Sequence, residues 1–225
     1  MNEPIRLSEK LYLLGIHPKK GGIISASYSA MDYILLGAIF LELYLNKNIR
    51  FEGRRIIIQD ASSKIPLHQY LLEKMSKPNR PLKISRWMNK LYFSLKYIRN
   101  EIRQELVKKR IISLQSRRFL FFRWQKPVIV NKQFIYHLVS DIENHVFKGT
   151  SDEEEIMMLS MIKPAGLLKR IFKNKERRKQ AKKKLNLLMV ENQVSIAVAD
   201  AISAAQAVAA SIAISSATSA AVTSS

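Results

Sequence analysis

Residues 33–45, YILLGAIFLELYL, decide the fold. They are apolar on every side except at Glu42, and the run is too long for an ordinary strand. It is also too short to span the ~30 Å of a bilayer's hydrocarbon. The stretch therefore reads as the centre of a buried core helix over 27–46, with Ile34, Leu35, Ala38, Ile39 and Leu43 inside. Upstream, Leu7, Leu11 and Leu14 mark one face of a helix over 5–16, and His17-Pro18-Lys19-Lys20-Gly21-Gly22 reads as a turn. Downstream, Asn46-Lys47-Asn48 ends the core helix. Two short strands, 49–52 and 54–59, follow as a hairpin joined at Gly53.

Helical periodicity returns over 66–76, 84–93 and 94–109, with the proline-bearing 77–81 as a break. A second hairpin is expected from strands 111–114 and 118–124, turning at Gln115-Ser116-Arg117. A helix over 131–147 follows Pro127. Ser151 or Asp152 caps the next helix, whose acidic first turn suits the helix dipole. The sequence predicts an all-α fold: a helical bundle core with surrounding amphipathic helices and two small β-hairpins. It divides into a helical domain over 1–190, including a basic helix over 163–184, and an Ala/Ser-rich C-terminal helix and frayed tail over 191–225.

Charge is the dominant compositional signal. Thirty-eight Lys and Arg against 18 Asp and Glu give +20, far outside the magnitude of about 2–8 usual for small soluble domains. Such a surface attracts polyanions: an anionic membrane, nucleic acid or acidic protein segments. The absence of cysteine excludes disulfides, thiolate metal sites and a Cys nucleophile. Met1-Asn2-Glu3-Pro4 does not begin like a signal peptide. The four histidines lack metal-ligand spacing, and no nucleophile motif or phosphate loop occurs, so no catalysis, metal or cofactor is expected.

Three features point to an anion-binding surface. On the helix over 94–109, Leu95, Ile98, Ile102 and Leu106 form an apolar stripe, and Lys96, Arg99, Arg103 and Arg110 run beside it. Converging cations bordering an apolar face suit a phosphate. In the second hairpin, Arg117, Arg118, Phe119, Leu120, Phe121 and Phe122 combine aromatic bulk with arginine, the composition of a membrane interface. Strand alternation there sends Phe119, Phe121 and Arg123 to one side, and Leu120, Phe122 and Trp124 to the other. The third feature is the cation-rich 169–184, which suits an anionic leaflet and nucleic-acid phosphates equally.

The order of these pieces resembles the Golgi phosphoprotein 3 family. The resemblance lies in Leu7-Ser8-Glu9-Lys10-Leu11-Tyr12-Leu13-Leu14-Gly15, in Gly37-Ala38-Ile39-Phe40-Leu41-Glu42-Leu43, and in the helix from Ile98-Arg99-Asn100-Glu101 to Leu106-Val107-Lys108-Lys109 before the hairpin. It covers roughly 5–172 and rests on pattern and order rather than a short diagnostic motif. It implies a mostly helical fold that binds phosphatidylinositol 4-phosphate on the cytosolic Golgi face and retains glycosyltransferases as an adaptor. The family's head-group pocket uses one Trp and three Arg. Arg99 and Lys96 fall on two of the Arg positions, Leu36 on the third, and Ser27 or Tyr28 near the Trp. Half the pocket is kept, which implies anionic-lipid binding without fixing selection of the 4-phosphate. The sequence opens close to the first helix, without the basic arm of eukaryotic members, as a prokaryotic relative would.

The reading is thus a non-enzymatic peripheral protein of the cytoplasm, on the cytosolic membrane face and at the Golgi if eukaryotic. Its partner is an anionic phospholipid membrane, with Lys96, Arg99 and Arg103 holding a phosphate and the tip over 117–122 inserting. Two alternatives stand beside it. One is a winged-helix-like nucleic-acid binder built on the hairpin over 49–59 with Arg54 and Arg55. The other is a homo-oligomer paired through the aromatic hairpin.

Overall fold

The computed structural model describes residues 4–28 and 30–191, with the side chains of Phe119, Phe122 and residues 188–191 outside that description. The chain runs α1 (Leu7–Gly15), α2 (Ser25–Tyr28), α3 (Met31–Leu45), β1 (Ile49–Glu52), β2 (Arg55–Ile58), α4 (Pro66–Met75), β3 (Leu82–Lys83) and α5 (Ile84–Leu91). A 3-10 turn (Tyr92–Ser94) leads into α6 (Leu95–Lys108), β4 (Ile112–Phe119), β5 (Phe122–Ile129), α7 (Lys132–Lys148), α8 (Glu153–Ile162), α9 (Leu168–Ile171) and α10 (Lys175–Glu191). The protein is mostly helical and carries two small antiparallel sheets.

A helix that is apolar all round must be covered all round. The core helix is, from Ile34 to Leu43, by α1, α6 and α8. This leaves no polar face to enter a nucleic-acid groove, so the winged-helix reading loses its recognition helix. Glu42, the one acid in this run, is buried with it. One carboxylate oxygen accepts the Ser8 N–H at 2.6 Å, and the other lies 2.7 Å from His68 Nε2 on α4. One side chain thereby satisfies a first-turn donor of α1 and ties α3 to α4. Buried Glu9 closes the same helix end by accepting the Arg6 N–H at 2.7 Å, and it pairs with Arg6 and with Lys109 beyond α6.

Several sequence expectations need correction. The helix expected over 27–46 is two helices. α2 is pinned elsewhere, because the Ser27 hydroxyl donates to the Ala165 carbonyl at 2.5 Å and Ala26 packs against Gly166. The first hairpin has a third strand, since β3 covers the edge of β2 at Ile56 and Arg55. The second hairpin turns at Leu120 and Phe121, not at 115–117, and its strands have eight residues each. Leu120 takes φ 53° there. Polar composition drew the expected turn to Gln115-Ser116-Arg117, but β-ladder hydrogen bonds continue through them. Pro127 lies within β5 rather than after the second strand, and its carbonyl accepts the Gly22 N–H at 2.8 Å. Gly21 at φ 68° makes this approach possible, since a Cβ there would lie 2.7 Å from the Pro127 oxygen.

The basic helix expected over 163–184 is interrupted. Gly166 takes φ 67° and Phe172 is fully buried between α9 and α10. α10 is not solvated all round, because Ala181 and Leu185 seat one face against the body. Asp152 caps α8 by accepting the Glu155 N–H at 2.9 Å. The expected Ala/Ser-rich tail lies outside the described residues.

Burial alone would push the Glu42 carboxyl up, but the hydrogen bond and charge of His68, with the Ser8 N–H, hold it below its ordinary 4.5. The unfolded chain therefore binds the extra proton first. The stability that Glu42 contributes is present above pH 4.5 and is lost as pH falls through the folded value. Glu42→Gln should cost about 3 kcal/mol or more, the scale of breaking a buried pair, and should flatten the acid limb. Denaturant melts at neutral and acid pH check both.

Candidate anion-binding surface

The cations of α6 emerge where its apolar stripe ends. Leu95, Ile98, Ile102 and Leu106 are buried, and Lys96, Arg99 and Arg103 follow along the flank. Their surroundings differ. Lys96 is exposed, beside the outward rings of Tyr92, Phe93 and Tyr97. Arg99 is half-buried, and its Nη1 donates to both carboxylate oxygens of Asp32 on α3, at 3.0 and 3.1 Å. Arg103 donates from Nη2 to the Gln125 carbonyl of β5 at 3.2 Å and from Nη1 to Asn100 at 3.4 Å. Its buried Nε has no acceptor.

Tyr12 of α1 lies against this row. Burial pushes its hydroxyl up to about 12, although Arg103 and Arg99 pull it down. Burial likewise keeps the Asp32 carboxyl above its ordinary 3.8, with Arg99 opposing. Asp32, Arg99, Tyr12, Arg103 and Gln125 thus form a continuous polar row from α3 across α6 to the root of the ribbon. Its two cations, Arg99 and Arg103, are already engaged from within.

The other expected head-group positions divide sharply. Tyr28 is 74% exposed, whereas Ser27 and Leu36 are fully buried. Leu36 faces the core, and Ser27 gives its hydroxyl to Ala165, so neither can meet a head group; both assignments are corrected.

The ribbon is more open. At its apex Leu120 is 67% and Phe121 93% exposed, and Trp124 is half-exposed behind them. Because Leu120 and Phe121 form the turn, they project at the end of the ribbon instead of lying on opposite faces as alternation implied. Arg117 stands opposite Trp124, and Arg118 opposite Arg123. Like charges directly across a ladder destabilise it, and among the described residues no carboxylate pairs with any of the three arginines. Arg118 donates instead to the Leu120 carbonyl at 3.1 Å, and Arg117 to Gln115 at 3.3 Å. Phe119 and Phe122 are register partners, and their side chains lie outside the described set. Arg103 and the Gly22 N–H both fasten the ribbon's root to the helical body.

Sequence reasoning missed Asp32 as a counter-ion. The signal was present, since Asp32 is the only acid between Glu9 and Glu42. A family model described as Golgi phosphoprotein 3 (GPP34) matches residues 7–205. No curated protein matches the chain.

Asp32→Asn keeps the side chain's shape and withdraws the charge that holds Arg99. Sedimentation with vesicles containing phosphatidylinositol 4-phosphate should then show binding strengthened by about threefold to tenfold, the scale of one freed charge-assisted contact. Unchanged binding would show that Arg99 faces no ligand.

Proposed function

The chain belongs to the Golgi phosphoprotein 3 family, and from that premise we propose that it is a non-catalytic peripheral membrane protein that grips anionic phospholipid head groups on a cytosolic leaflet. The observation that carries this is the ribbon apex: two large apolar side chains, exposed at the turn, with three arginines behind them that have no carboxylate partner among the described residues. Inserting Leu120 and Phe121 removes apolar surface from water, and Arg117, Arg118 and Arg123 then stand at the depth of the phosphates. The phosphates also relieve the repulsion between Arg118 and Arg123. The cations of α10 add long-range attraction of about 1 kcal/mol each near an anionic surface. Among the described residues no helix is long and apolar enough to cross a membrane.

Phosphoinositides fit as ligands through family membership and through Lys96, which is exposed on the α6 flank. With Leu36 buried and Arg99 held by Asp32, selection of one phosphoinositide is weaker than a complete pocket would give. Retention of membrane enzymes as an adaptor is the role that the family supports.

Vesicle sedimentation tests the reading. Leu120→Ser with Phe121→Ser should lower partition onto phosphatidylserine-containing vesicles by about tenfold or more, since each inserted side chain is worth roughly 1.5–3 kcal/mol. Lys182→Ala with Lys183→Ala should lose less, and its loss should fade with added salt. Equal partition onto neutral and anionic vesicles, or a tip variant that binds like the native chain, would remove the proposal.

A further inference from the structure

A second cationic site lies on other elements. From 74 to 90 the chain carries Lys74, Lys77, Arg80, Lys83, Arg86 and Lys90, and no Asp or Glu. This segment runs from the last turn of α4 through the proline-bearing loop and β3 into α5. At its centre stands Trp87, only 2% exposed. Its indole Nε1–H is buried and has no acceptor among the described residues. A buried donor left without a partner costs about 1–3 kcal/mol, so the position favours whatever brings an acceptor to it.

Trp87 lines a recess of about 300 Å³ between α4 and α5, with Lys74, Lys77, Pro78, Lys90 and Leu91 as the other walls. It also lines a second recess of about 310 Å³ across Pro78, where Arg80 joins the lining. Lys74 lies over the Tyr70 ring at 4.9 Å. Among the described residues none of Lys74, Lys77 and Lys90 forms an ion pair. Three ammonium groups without a carboxylate partner among the described residues, and one neutral donor, around a small recess call for an acceptor with several oxygens and more than one negative charge. A carboxylate, with one charge, leaves most of the lysine charge unmatched, whereas a phosphate monoester brings close to two charges and three free oxygens.

We propose that this recess is a phosphate-binding site in which the Trp87 indole N–H donates to one phosphate oxygen and Lys74, Lys77 and Lys90 neutralise the group. The phosphate comes either from a lipid head group or from a soluble phosphate compound. The site shares no residue with the ribbon apex, so it stands or falls independently of the membrane reading.

Trp87 is its own reporter. The chain has two tryptophans, and Trp124→Phe leaves Trp87 alone. Titrating inorganic phosphate into that variant at constant ionic strength should change Trp87 emission saturably. Adding Lys74→Ala with Lys90→Ala should weaken the affinity by about tenfold or more. The same charge removed at Lys182 and Lys183 should change it by less than about threefold. By calorimetry, Trp87→Phe should bind phosphate about tenfold more weakly, with its melting curve confirming a folded chain.

Vesicles of phosphatidylcholine with and without phosphatidic acid, tested on the chain with Trp124 intact, separate the sources. Loss of phosphatidic acid binding in the Lys74/Lys90 variant assigns the site to lipid; loss of inorganic phosphate binding alone assigns it to a soluble ligand. A linear emission change, an equal effect of both lysine pairs, or a Trp87→Phe chain that binds phosphate like the native one would overturn the site.

Discussion

The architecture depends on a charge kept inside an apolar helix. Glu42 sits in the most hydrophobic stretch of the chain, where an isolated carboxylate would be prohibitively costly. It is tolerated because the Ser8 N–H and the His68 ring both reach it. The benefit is geometric. α1 can begin only where its first-turn donor meets that oxygen, and α4 can dock only where His68 meets the other. A purely aliphatic contact would allow these helices to slide; this one fixes a single register, in the way that buried polar groups confer specificity in other systems. α6 is held against the same frame through Lys109 and Glu9.

That register carries outward to the surface. Asp32 stands near the start of α3 and Arg99 and Arg103 on α6, so the row that ends at the Gln125 carbonyl is placed by the packing of α3 on α6. The ribbon is therefore not a loose appendage. Its root is held along β5, by the Arg103 guanidinium at the Gln125 carbonyl and by the Gly22 N–H at the Pro127 carbonyl, while its apex is exposed. A fixed root beneath an exposed apex leaves little of the ribbon to be ordered when the apex makes a contact.

What the sequence revealed follows from which forces are local. The core helix was legible because an all-apolar run of that length has one outcome, and α1, α4, α6 and α7 followed from the spacing of Leu and Ile. The cap at Asp152 was legible because capping involves only neighbours. The turn at Leu120 and Phe121 was not. Turn preferences favour small and polar residues, and this turn is made of large apolar ones that stand exposed. β3, two residues long, has no periodicity to detect and exists only because β2 offers an edge. Leu36 and Ser27 aligned with pocket positions, but alignment does not report which way a helix faces; both point inward. Asp32 was visible as a lone acid, yet its partner lies 67 positions away, beyond any local rule. The interruption of the basic segment at Phe172 arose in the same way, from a ring captured by a core assembled elsewhere.

A two-stranded ribbon has no interior strand, so along its outer part both margins offer unpaired backbone groups to any strand that approaches. Such margins template self-association unless something repels the approach. Here Arg118 and Arg123 stand opposite each other in the ladder, and their shared positive charge opposes the approach of a like ribbon along either margin.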